Sequence, residues 1–116
     1  MSMLEELRDL ECNISEGLNR FANHAALYEK MLKKFPASAQ KLDVPARFAA
    51  KDWAAAVADA HTLKGMTGNL SLTPLYEGYT QIVALLREDR PEQAEKILIM
   101  ITPIQEKIIA CIENYL

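Results

Sequence analysis

Glycine is scarce in this chain, with four residues in 116, and so are histidine and cysteine, with two of each. Few glycines and long stretches rich in alanine and leucine favour helix over a turn-rich β architecture. Two histidines far apart, with no third ligand at a suitable spacing, do not define a metal site. Cys12 and Cys111 form neither a CxxC pair nor a zinc spacing, so they read as buried or incidental thiols of a reducing compartment. There is no excess of basic residues. Lysine and arginine number 13 against 16 acidic residues, a net charge of −3 that gives no argument for nucleic acid. The longest apolar run, Ile97-Leu98-Ile99-Met100-Ile101, is far too short to span a bilayer. The first residues are acidic and lack an apolar segment of signal-peptide type, so the expectation is a cytoplasmic protein without membrane insertion. No Walker loop and no kinase-type glycine loop occurs, which removes nucleotide binding from consideration. Two Asn-x-Ser matches, at Asn13 and Asn69, read as coincidental in such a chain.

What remains is a chain of one domain, residues 1–116, half hydrophobic and long enough to bury a core. Met3, Leu4, Leu7 and Leu10 give a short amphipathic helix over 3–12, broken at Ser15-Glu16-Gly17. Asn23 is expected to cap a helix running to about Phe35, with Leu27, Tyr28, Met31, Leu32 and Phe35 inward. Pro36 and Pro45 bracket a less regular piece, with a helical turn at 46–50. Asp52 caps a helix that ends near Leu70. Thr73-Pro74 reads as an N-cap and a first-turn proline, opening a helix through Tyr79, Ile82, Val83 and Leu86. Asp89 and Glu92 suggest a capping box before a last helix to about Tyr115, kinked at Pro103. The expected fold is all-α: an antiparallel four-helix bundle with an additional short N-terminal helix.

One segment stands out, Ala60-His61-Thr62-Leu63-Lys64-Gly65-Met66-Thr67-Gly68-Asn69-Leu70. On a wheel at about 100° per residue, Trp53, Ala56, Val57, Ala60, Leu63, Thr67 and Leu70 form a buried stripe. His61 lies roughly 120° from its centre, at the exposed flank. Lys64 follows at i+3 and Gly65 and Gly68 at i+4 and i+7, all on the face of His61. A glycine within a helix costs about 1 kcal/mol relative to alanine, so two on one face call for a reason. Clearance for something large approaching the imidazole supplies it. An exposed imidazole, an adjacent cation and a cleared face suit an anionic group carried on His61 and handed to a partner.

This pattern resembles the histidine-containing phosphotransfer domain, with its His-x-x-Lys-Gly signature followed by small residues and an Asn-Leu pair, here His61 to Leu70. The resemblance extends over about residues 10–86. It takes in Leu10-Glu11, Gly17-Leu18-Asn19-Arg20-Phe21, the stretch from Ala26 to Phe35, and Asp52-Trp53 shortly before the histidine. The resemblance implies a phosphorelay intermediate of two-component signalling. His61 would be phosphorylated, Lys64 would neutralise phosphate charge, and Gly65, Gly68 and Asn69 would face the partner. Asn69 has a second reading as a helix-end cap. The implied partners are response-regulator receiver domains, with a hybrid sensor histidine kinase a further candidate. Mg²⁺ is expected in the partner's receiver and no cofactor in this chain, which would be a monomeric carrier and not an enzyme in its own right. One position departs from the family. The polar residue often found on the following helix, where it holds the histidine, falls on Val83. Gln81 is rotated about 200° from it, leaving Thr80 and Tyr79 as candidates for that role.

Two bland alternatives stand beside this reading. The chain could be a structural helical interaction module that has lost phosphotransfer. A four-helix metal or haem protein is the other, but the paired Glu and Glu-x-x-His ligands of such bundles are missing. His24 has no carboxylate, cysteine or second histidine at ligand spacing and reads as a surface residue.

Overall fold

The structure, a computed structural model, describes residues 1–116. It is all-helical, with no strand. Eight helices follow one another: α1 (Met3–Asp9), α2 (Ile14–Arg20), α3 (Ala25–Leu32), α4 (Phe35–Gln40), α5 (Val44–Ala49), α6 (Trp53–Asn69), α7 (Thr73–Arg87) and α8 (Pro91–Glu113). Only the last three exceed eight residues. Helix α6 packs on α7 across a three-residue connection, and α7 packs on α8 in the same way. Such short links force neighbouring helices to fold back on each other. Helix α5 lies against α6, and α1 and α4 lie against α8.

The long helix expected from Asn23 to Phe35 is shorter and starts differently. Ala22 and Asn23 both take left-handed backbone conformations, with φ of 53° and 60°. The cap is instead His24, whose Nδ1 accepts a hydrogen bond from the Leu27 amide at 3.2 Å. Helix α3 stops at Leu32, and Pro36, which has no amide proton to donate, sits in the first turn of α4. Leu27, expected inward, is exposed, whereas Tyr28, Leu32 and Phe35 are buried. Nor does Gly17 break a helix. It lies buried in the middle of α2, which Asn13 caps by accepting from the Glu16 amide.

Two further caps differ from expectation. Leu72, not Thr73, occupies the N-cap of α7, and the Thr73 hydroxyl instead accepts from the Asn13 amide at 3.0 Å. Arg90 precedes α8 without a side-chain cap, because Asp89 has φ of 59° and forms no capping box. Pro103 is accommodated within the single helix α8. It withdraws the donor from the Ile99 carbonyl, and at that position Ile99 is exposed, so water can reach the orphaned group. Asp52 caps α6 as expected, accepting from the Ala55 amide at 3.2 Å.

One continuous core runs through the molecule. Ala56, Ala60 and Leu63 of α6 meet Leu75, Tyr79, Ile82 and Val83 of α7 and Leu98, Ile101, Ile108 and Ile112 of α8 within it, and Thr67 of α6 is buried as well. The Thr67 hydroxyl is satisfied by the Leu63 carbonyl at 2.8 Å. Both cysteines are buried and unpaired, and burial pushes the Cys12 thiol up to about 12.

The N-terminal third is tied to this core at the α6–α7 corner. The Tyr28 hydroxyl donates to the Leu70 carbonyl at 2.7 Å in a buried setting. The Asn13 amide donates to the Ser71 carbonyl at 3.2 Å. Tyr28 reaches the corner because Gly17 has no side chain: a Cβ there would lie 2.2 Å from the phenolic oxygen. Tyr28→Phe is therefore expected to strand the buried Leu70 carbonyl and to lower stability by about 1–3 kcal/mol. Urea denaturation checks this, and an unchanged midpoint would show that the bond contributes nothing.

Candidate functional site

The residues around His61 are placed by the helix they share. Asp52 fixes the start of α6, and Ala56, Ala60, Leu63 and Thr67 hold one side of it against the core. Trp53 and Val57, expected on the same stripe, are half-buried at its edge. With that side fixed, the helical period turns His61 and Gly65 outward, and both are exposed. Lys64 is half-buried beside them.

A groove of about 470 Å³ opens on this face. From α6 it is lined by His61, Lys64, Gly65, Gly68 and Asn69, so all five residues singled out in the sequence share one concavity. The other walls were not foreseen, because they come from different elements. Helix α2 supplies Glu16 and Arg20, the corner supplies Ser71, and α7 supplies Thr73, Tyr76 and Glu77. No periodicity along α6 could identify them. The positions expected to orient the imidazole are occupied elsewhere. The Thr80 hydroxyl donates to the Tyr76 carbonyl at 2.6 Å, the buried Tyr79 hydroxyl donates to Gln105, and Val83 is in the core. Thr73, Tyr76 and Glu77 are the α7 residues that border the groove of His61.

The four glycines divide according to what faces them. None has a positive φ, so none serves as a turn residue. A Cβ on Gly78 would stand 2.4 Å from Ile101, and one on Gly68 would stand 2.8 Å from the Tyr76 ring. Those two glycines, like Gly17, make room for a neighbouring side chain. Gly65 has nothing within 4 Å of such a Cβ. Its missing side chain leaves open space one turn beyond His61, and internal packing does not account for it. Asn69 does not close the helix. Leu70 holds the C-cap position, its amide reaching the Met66 carbonyl, and Asn69 is left exposed on the groove.

The charges around the groove are arranged, not scattered. The ion pairs are Arg20–Glu16 at 3.5 Å and Arg47–Asp59 at 3.1 Å. Asp59, two residues before His61, is thus engaged by Arg47 and turned about 200° from the imidazole. Glu16 is held from two sides, since it also accepts from the Ser71 hydroxyl at 2.9 Å. Lys64 takes part in neither pair, and neither does Glu77. The structure has no cluster of three or more metal-ligating side chains. No family model, curated protein or solved structure matches the chain.

The glycine pattern gives a direct test. Gly65→Ala is expected to raise stability by up to about 1 kcal/mol, since it gains helix propensity and meets nothing. Gly78→Ala should lower it by about 1–3 kcal/mol through overpacking against Ile101. Gly68→Ala should fall between them, because the partly exposed Tyr76 ring can swing outward. Chemical denaturation of the three variants reads this order, and a destabilised Gly65→Ala would mean that the face is not open.

Proposed function

We propose that this protein is a phosphorelay carrier, taking a phosphoryl group on His61 from the aspartyl phosphate of a receiver domain and passing it to another receiver. The observation that supports the reading best is the conjunction at one groove of an exposed imidazole, an unpaired lysine on the same helix face and a glycine whose open side faces only solvent. The resemblance of residues 10–86 to histidine-containing phosphotransfer domains points the same way. In this reading α3, α6, α7 and α8 are the four members of an antiparallel bundle with α1 beside it. The protein acts as a cytoplasmic monomer.

The chemistry is a displacement at phosphorus. The neutral imidazole of His61, through Nε2, forms a P–N bond as the P–O bond to the receiver's aspartate breaks, and the aspartate leaves as a carboxylate. Transfer onward runs the same step in reverse on a second receiver. Phosphoryl transfer depends on in-line approach and charge neutralisation more than on covalent help from the protein. Gly65 permits the approach, because the receiver's loops must come within bonding distance of a group lying against a helix. Lys64 supplies positive charge from the adjacent turn. The Mg²⁺ and acidic pocket belong to the receiver.

Phosphoramidate, a small donor that needs no partner surface, should label the protein once, with an acid-labile and base-stable phosphate. His61→Gln should abolish that label and leave helix content unchanged, because the side chain lies outside the core. Label that persists in His61→Gln would overturn the assignment. Lys64→Ala should slow transfer from a phosphorylated receiver by roughly tenfold or more, as expected for loss of a charge-assisted contact of about 1.5–3 kcal/mol. Parental rates in that variant would assign Lys64 to the solvated surface.

A further inference from the structure

Beside the groove of His61 lies a second one of about 580 Å³, different in character. Its floor is apolar: Phe21 at the end of α2, Met31 of α3, Phe35 of α4, and Met66 and Leu70 on the far side of the histidine helix. Its charged residues are Arg20 and Lys34, and no aspartate or glutamate lines it. In a chain of net charge −3 that is a local reversal of sign. The two grooves adjoin, since Arg20 and Asn69 line both. Asn69 is eight residues from His61, about 12 Å along the helix. A protein interface of ordinary size covers about 800 Å² on each partner, enough to span both grooves at once.

Arg20 is set for such a contact. Glu16 meets it through Nε, which leaves the outer fork of the guanidinium without a carboxylate, and its side chain is half exposed. Glu16 is in turn fixed by the Ser71 hydroxyl, so the α6–α7 corner holds Arg20 at the junction of the two grooves. A planar guanidinium with a free edge suits a carboxylate, and Lys34 offers a second positive charge across the apolar floor.

We propose that the second groove is an anchoring site for the same receiver domain that exchanges its phosphoryl group with His61. It takes an apolar side chain flanked by carboxylates on the receiver's surface. The inference rests on the carrier reading above and adds where the partner is held while the chemistry proceeds. Lys34 and the apolar floor then set affinity and partner choice without touching the reacting phosphorus, and Arg20 stands where the two grooves meet.

The test uses the full chain and a panel of receiver domains charged with acetyl phosphate, from which the one that labels the parent fastest is taken. Met31→Ala and Lys34→Ala, at residues that line the second groove and not that of His61, should each raise the receiver concentration needed for half-maximal transfer by about two- to fivefold, with the rate at saturation unchanged. The double variant should lose more than either. Lys34→Arg should recover part of the loss of Lys34→Ala, and added salt should shrink the gap between that variant and the parent. Labelling by phosphoramidate should be the same in all of them. If the double variant saturates at the parental receiver concentration while phosphoramidate still labels His61, the second groove is not an anchor and the carrier reading stands. A fall in the saturated rate or in phosphoramidate labelling would mean that the substitutions act on the His61 site itself, which also overturns the inference. If phosphoramidate fails to label His61 in the parent, the carrier reading falls and takes this inference with it.

Discussion

The corner between α6 and α7 is the point on which the rest of the molecule depends. Three residues reverse the chain there, and the N-terminal helices find their anchor on the first two of them. Leu70 offers its carbonyl to Tyr28, Ser71 offers its carbonyl to the Asn13 amide, and the Ser71 hydroxyl donates to Glu16. Buried backbone carbonyls must be paired, so each bond fixes a distance between the N-terminal helices and the end of the histidine helix. Without these ties α2 and α3 would have few contacts to locate them, being only seven and eight residues long. The groove around His61 has α2 as one wall and therefore inherits its shape from this corner.

Helix α6 itself was the most legible part of the sequence. Its cap, length and buried residues all follow from one period of 3.6 residues and one aspartate, and local rules of that kind can be read from a string of letters. The exposure of His61 and Gly65 follows from the same period. Less legible were the places where a distant partner decides. Thr73 looks like a cap, yet its hydroxyl serves an amide sixty positions away, and Leu72 takes the cap position. Gly17 looks like a helix breaker, but it is a helical residue kept small by the ring of Tyr28. Asn23 looks like a cap, but its left-handed backbone passes that role to His24. Glu16, Arg20 and Glu77 could not be assigned to the site at all, because their place there depends on how three helices meet.

Electrostatics and packing divide the work around the histidine. Packing against α7 fixes α6, so His61 has a defined direction at no cost in side-chain contacts. Charge is then managed by pairing. Arg47 engages Asp59 and Ser71 holds Glu16, while Glu77 and Lys64 are in no ion pair. Exposed ion pairs contribute little to stability. Their value here is positional, in setting which charges are left available on the surface.

The distribution of left-handed residues has a further consequence. Glu11, Ala22, Asn23, Lys51, Ser71 and Asp89 all have positive φ, and each lies in a connection between helices, where glycine is the usual occupant. The chain instead keeps its glycines inside helices and sets ordinary side chains in its turns. Both placements run against intrinsic preference. The molecule therefore holds a reserve of conformational strain in its joints, separate from its core. These residues occupy five joints, and four of the five contribute no left-handed residue to the groove of His61. A redesign that moved glycine into those joints would draw on that reserve and harden the scaffold, with the surface offered to a partner left as it is.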